Sequence, residues 1–113
     1  MSDEQQQRRN PRYAFIASAE LLEPQTDVRI ATRVSELSVL GCYMDMLNPF
    51  PAGTPVLVKI SAGNAEFKSK ARIIYAHPNF GAGVGFQDTE APYLEVLKRW
   101  ISEAEKDPER LIK

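Results

Sequence analysis

Pro55-Val56-Leu57-Val58-Lys59-Ile60-Ser61-Ala62-Gly63-Asn64-Ala65-Glu66-Phe67-Lys68-Ser69-Lys70-Ala71-Arg72-Ile73 is the stretch that decides the fold. Before the glycine, Val56, Val58 and Ile60 alternate with Leu57, Lys59 and Ser61. After it, Phe67, Ser69, Ala71 and Ile73 alternate with Lys68, Lys70 and Arg72, and the pattern continues to put Tyr75 on the Phe67 side. A period of two puts each apolar set on one face of an extended chain. Gly63-Asn64 tolerates positive φ at both residues, the chemistry of a tight turn between antiparallel strands. The stretch therefore reads as a β-hairpin with one buried face.

The same reading extends in both directions. Residues 13–22 are rich in aromatic and aliphatic side chains and predict a strand, closed by a turn at 23–27 that contains Pro24. Residues 28–38 alternate, with Val28, Ile30, Thr32, Val34 and Glu36 on one side and Arg29, Ala31, Arg33, Ser35 and Leu37 on the other. The first set is the more apolar, so it predicts the buried face. A third strand falls at 41–47, followed by a proline-rich connection at 48–53. Beyond the hairpin, Pro78-Asn79-Phe80-Gly81 turns the chain into a short strand at 83–86, whose glycines suggest a bulge or a close backbone approach. The period then changes: Leu94, Leu97, Trp100, Ile101 and Ala104 follow helical spacing. Thr89 is placed to cap this helix, Pro92 suits its first turn, and Asp107-Pro108 ends it. The expectation is a mainly β fold, a six-stranded antiparallel β-barrel with a C-terminal α-helix that lays Leu94, Leu97 and Ile101 on the barrel. Residues 1–12 read as a flexible polar arm, 13–107 as barrel plus helix, and 108–113 as a C-terminal tail.

At 113 residues the chain is one domain's worth of protein. A net charge of −1 gives the whole molecule no electrostatic reason to seek nucleic acid or an anionic membrane. No apolar run approaches the roughly 18 residues that would span a bilayer. The single cysteine, Cys42, excludes an intrachain disulfide. Together with a polar N-terminus lacking a secretory apolar region, this suits the cytoplasm.

Two short motifs stand out against this near-neutral background. Arg8-Arg9-Asn10-Pro11-Arg12 puts three guanidiniums within five residues just before the first strand. Glu36-Leu37-Ser38-Val39-Leu40-Gly41 places an acceptor, a hydroxyl and a glycine around the end of the second strand. Arginines bond phosphate bidentately and stack on flat rings, and an acceptor beside a hydroxyl can orient a base. Each motif alone has a plain explanation: a solvated charged tail, or a strand-end serine with a turn glycine.

Together, in this order and on a barrel-like pattern, they resemble the PilZ domain, a bacterial receptor module for cyclic di-GMP. That family carries RxxxR before its first strand and D/N-x-S-x-x-G at the next, on a six-stranded barrel. Arg8 and Arg12 match the first motif, with Arg9 giving an RRxxR variant. Ser38 and Gly41 match the second. The segments Gly53-Thr54-Pro55-Val56, Ala71-Arg72-Ile73-Ile74-Tyr75 and Gly83-Val84-Gly85-Phe86 resemble the family's second half. The resemblance implies that Arg8, Arg9 and Arg12 clamp phosphates and stack on guanine, that Glu36 and Ser38 bond the ligand, and that Gly41 lets backbone come close to it. Glu36 departs from the usual Asp or Asn. It keeps the charge and the acceptor, but one extra methylene displaces its oxygens by roughly 1 Å, so weakened binding is expected.

Two readings follow. In one, the chain is a cyclic di-GMP receptor that couples the ligand to an effector protein through ordering of its arginine arm. In the other, it is a degenerate PilZ-like interaction module that does not bind the nucleotide. Either implies a monomer or weak homodimer without cofactor, metal, nucleic-acid polymer or membrane insertion. Catalysis has no support. Cys42 and the lone His77 have no partners at catalytic or metal-ligating spacing, Trp100 sits at a packing position, and Gly81, Gly83 and Gly85 open no helix as a dinucleotide fingerprint would.

Overall fold

A computed structural model describes residues 10–112. Strands β1 (Arg12–Glu23), β2 (Val28–Leu37), β3 (Gly41–Asp45), β4 (Pro55–Ala62), β5 (Ala65–His77) and β6 (Gly81–Gln87) precede helix α1 (Ala91–Glu105). The strands run in the order β2-β3-β6-β5-β4-β1, and β1 also pairs with β2, so the six close into an antiparallel barrel. The expected fold class is therefore the observed one. After the helix, Pro108–Arg110 forms a 3-10 turn and β7 (Leu111–Ile112) pairs with Arg12 and Tyr13 of β1. The residues read from sequence as a tail thus carry backbone pairing, and they carry it at the foot of the arginine arm.

Local chemistry sets the turns. The Glu23 carboxylate accepts from the backbone N–H groups of Gln25 (2.8 Å) and Thr26 (3.2 Å) and from the Thr26 hydroxyl (2.6 Å), and Asp27 takes a left-handed φ of 59°. These bonds hold Glu23 ionised and depress its pKa, led by the Thr26 hydroxyl. At the β4–β5 hairpin only Gly63 is left-handed (φ 59°), and Ala62 pairs with Ala65. Positive φ at the first turn residue alone is type II′ geometry, which needs glycine at that one position.

The core fills the barrel with Leu21, Val34, Leu37, Met44, Ile60, Phe67 and Ile73, all essentially inaccessible to solvent. Helix α1 lies against β5 and β1 and buries Leu97, Trp100 and Ala104, with Leu94 and Ile101 half-buried beside them. The Trp100 ring meets Phe15 at 5.2 Å and Phe67 at 6.5 Å between centroids, so it belongs to the core rather than flanking it. Thr89 does not cap the helix. Glu90 occupies the cap position without a side-chain bond, while the Thr89 hydroxyl shares a 2.7 Å hydrogen bond with the buried Ser69 hydroxyl. Ser69 sits on the inward face of β5, where an unpartnered hydroxyl is costly, and the Lys70 carbonyl (2.8 Å) and Thr89 both partner it.

Two bulges change which side chains face out. Between the pairs Val34↔Met44 and Glu36↔Tyr43, β2 carries one residue more than β3. Between Ile73↔Val84 and Tyr75↔Gly83, β5 carries one more than β6. An extra residue reverses the alternation beyond it. Glu36, which simple alternation puts on the side of buried Val34, therefore faces outward, and Leu37 enters the core with 1% exposure. Tyr75 likewise leaves the Phe67–Ile73 face and stands 38% exposed beside exposed Ile74.

Candidate functional site

The outward turn of Glu36 brings it to Arg12. The Arg12 guanidinium and the Glu36 carboxylate form an ion pair at 3.4 Å, both partly open to solvent. Arg12 holds its place because β1 is paired on both sides there: Arg12 with Ile112, and Tyr13 with Leu37 and Leu111. Tyr13 is itself buried, and burial followed by the nearby Glu105 charge keeps its hydroxyl protonated. Neighbouring Asp45 is engaged elsewhere, by Arg33 Nε at 2.7 Å and the Ser35 hydroxyl at 3.2 Å.

Ser38 and Gly41 form the turn between β2 and β3. The Ser38 Oγ accepts from the backbone N–H groups of Leu40 (3.2 Å) and Gly41 (3.3 Å), and the Ser38 N–H donates to the Gly41 carbonyl at 2.8 Å. The serine is thus first a turn-former. Its hydroxyl proton has only a long, 3.4 Å contact to the Gly41 carbonyl, which is already in use. Gly41 is required by the sheet: a Cβ there would enter the Val84 carbonyl of β6.

These residues line one side of an open slot of about 410 Å³ on the barrel's outer surface. Its floor is glycine: Gly41 on β3, then Gly83 and Gly85 on β6. The opposite side is Ile74 and Tyr75, with Leu40 at the rim. Glu36, Tyr43, Gly83 and Tyr75 are successive register partners across β2, β3, β6 and β5. At about 4.8 Å per strand, this row spans about 14 Å. The Tyr43 and Tyr75 rings lie 6.2 Å apart, with His77 5.0 Å from Tyr75. Burial, then the charges of Tyr75, Asp45 and Glu36, push the Tyr43 hydroxyl pKa up, so it stays a neutral donor. Burial likewise pushes the Cys42 thiol up and removes it as a nucleophile.

The structure thus brings Arg12, Glu36, Ser38 and Gly41 together, whereas Arg8 and Arg9 lie outside the described residues. Sequence reasoning missed the facing wall, Ile74 and Tyr75. Its one signal was the alternation of Gly81, Gly83 and Gly85, which leaves room for rings to lie across β6: a Cβ at Gly83 would strike the Tyr75 ring, and one at Gly81 the Tyr43 ring.

The PilZ domain family model matches residues 6–103, most of the chain and both motifs. The chain belongs to the PilZ domain family. Solved structures agree on the fold. This PilZ domain is similar to that of CeSA from a cellulose-synthesizing bacterium (21% identity, TM-score 0.67, covering 83% of this chain and 97% of that one). It is also similar to the PilZ domain with c-di-GMP of YcgR from Escherichia coli (16% identity, TM-score 0.71, 89% and 93%). A third is the motility inhibitor MotI/DgrA of Bacillus subtilis, at 13% identity and TM-score 0.70, covering 88% of this chain and 52% of that one. No curated protein matches the chain. Among the described residues no helix is long and apolar enough to cross a membrane, and no cluster of ligating side chains could hold a metal ion.

Proposed function

We propose that this PilZ domain is a cyclic di-GMP receptor that performs no chemistry itself and passes the signal to an effector protein. The observation that carries the reading is the slot: a guanidinium, a carboxylate and a serine hydroxyl on one side, a glycine floor, and an apolar aromatic wall opposite. That combination suits a ligand that is anionic at one part and flat and aromatic at another. Arg12 would meet a phosphate, joined by Arg8 and Arg9. Ser38 would donate to a phosphate oxygen. Glu36 would take the paired N–H donors of guanine or hold Arg12 in place, and Gly41 would keep the floor low.

Arg12 is a fixed foot, paired with Ile112 and followed by Tyr13, which is paired on both sides. Arg8, four residues earlier, reaches about 13 Å from it along an extended chain. The residues preceding Arg12 can therefore fold over the slot, and their ordering on the ligand would create or cover a surface for the effector. The reading places the domain in the cytoplasm as a monomer or weak homodimer.

A second reading, an interaction module without nucleotide affinity, is favoured by one observation: Glu36 and Arg12 already form an ion pair with each other. Calorimetry with cyclic di-GMP decides between them. The native chain is expected to bind, and Arg12→Ala to bind at least tenfold more weakly, the usual effect of removing a charge-assisted contact. An absence of heat at high micromolar protein refutes the receptor reading. If Glu36→Asp then creates binding, the module is degenerate by that one methylene.

A further inference from the structure

We propose that the outward face of the β4–β5 hairpin is the surface on which the domain docks its effector, and that this face takes an acidic, extended segment carrying one apolar anchor. The inference rests on the part of the proposed function that gives the domain an effector, and the face contains no motif residue.

Three observations carry it. The first is charge. β4 and β5 turn Lys59, Lys68, Lys70 and Arg72 outward against one carboxylate, Glu66, in a chain whose net charge is −1. Lys59 and Lys68 are direct register partners, and like charges set opposite each other cost stability. Glu66 offsets this only at long range, 3.8 Å from Lys59 and 3.9 Å from Lys68. Among the described residues no carboxylate lies within ion-pair distance of Lys70. The Arg72 guanidinium is held in place by a carbonyl, that of Gly53 at 2.7 Å. Lysines on strands often guard a sheet edge, but β4 and β5 are each paired on both sides and have no edge to guard.

The second observation is shape. Beside these cations lies a groove of about 460 Å³, lined by Leu22 and Leu57, which are direct partners on β1 and β4, and by Tyr93 of α1. Leu57 is 41% exposed there, so an apolar side chain seated on it gains burial. The third is spacing. Lys68, Lys70 and Arg72 occupy alternate positions of β5, so their charges recur about every 6.8 Å, the repeat of alternate side chains in any extended chain. A segment with acidic residues at alternate positions meets one cation with each of them. The groove favours such a segment over a nucleic acid. Glu20, which pairs with Arg29 at 3.5 Å, lines it together with Asp88 and Glu90, and these carboxylates oppose a continuous phosphate chain.

The test uses the full chain and a short synthetic peptide in which glutamate alternates with serine around one central leucine. Amide chemical shifts are followed by NMR during titration of the native chain, of Lys70→Glu and of Lys98→Glu, which makes the same change in net charge on the exposed side of α1. The native shifts are expected to centre on Leu57, Lys68, Lys70 and Arg72. Lys70→Glu is expected to bind about tenfold more weakly and Lys98→Glu within about twofold of native. A peptide with glutamine for every glutamate is expected not to bind. The inference is overturned if millimolar peptide leaves the β4 and β5 amides unmoved, if Lys98→Glu falls as far as Lys70→Glu, or if the glutamine peptide binds equally. It is also overturned if a single-stranded DNA oligonucleotide binds the same face more tightly than the peptide, which would make the face a polyanion site. Calorimetry with cyclic di-GMP separates this proposal from the receptor reading, because Lys70 lies outside the slot. Nucleotide binding without peptide binding removes the docking face alone, and peptide binding without nucleotide binding removes the receptor reading alone.

Discussion

Gly41→Ala is the sharpest test of how the second motif works. An ideal Cβ on Gly41 would lie 3.1 Å from the Val84 carbonyl carbon and 3.2 Å from the Gly85 Cα, with the Val84 carbonyl oxygen closer still. All three are backbone atoms of β6, which pairs with β3 at this point (Gly41↔Gly85, Cys42↔Val84). No side chain can swing aside, so the strands must part, and the ladder bonds near the slot weaken. Overpacking a filled site costs about 1–3 kcal/mol, and an unyielding backbone neighbour puts this case near the upper end, about 3 kcal/mol. For a domain of this size, that is roughly a 12 °C loss in melting temperature. Gly85→Ala is the internal control, because its Cβ would meet only the Ile74 side chain, Cδ1 at 3.0 Å and Cγ1 at 3.2 Å, and no backbone. It is expected to cost about 1 kcal/mol or less. Urea unfolding followed by the fluorescence of Trp100, the sole tryptophan and buried in the core, measures both. Equal midpoints for the two variants with unchanged slopes would refute the reasoning and return Gly41 to a role in ligand approach alone.

Two further predictions concern the turns. Ser38→Ala removes the acceptor shared by the Leu40 and Gly41 N–H groups and is expected to cost about 1 kcal/mol, read as a fall of roughly 4 °C in a thermal melt. A variant as stable as the native chain would show that these bonds contribute nothing. Glu23 supplies the acid dependence. Its folded pKa is depressed, so the unfolded chain binds the proton more readily, and the stability Glu23 supplies is present above about pH 4.3 and lost as pH falls through its lower folded value. Glu23→Gln should flatten that limb of a stability–pH curve while lowering stability at neutral pH, and an unchanged acid limb would count against it.

Much of the architecture was legible in local pattern. Val56, Val58 and Ile60 facing Phe67, Ala71 and Ile73 across Gly63-Asn64 specify a hairpin wherever they occur, because a period of two and a tight turn leave few alternatives. Leu97, Trp100 and Ala104 likewise mark a helix face by spacing alone. The C-terminal residues carried no such signal, since a two-residue strand exists only through its partner on β1.

The sequence by itself determined the six barrel strands, the helix, the two motifs and the family they point to. Those properties depend on side chains a few residues apart. The tertiary structure decided which of them share a surface. Glu36 faces Arg12, and Tyr75 faces outward, because β2 carries one residue more than β3 and β5 one more than β6. A bulge is a relation between two chains, and no single strand records it. The same is true of the glycine floor, whose residues come from β3 and β6 and matter because a Cβ would meet backbone or side-chain atoms on neighbouring strands.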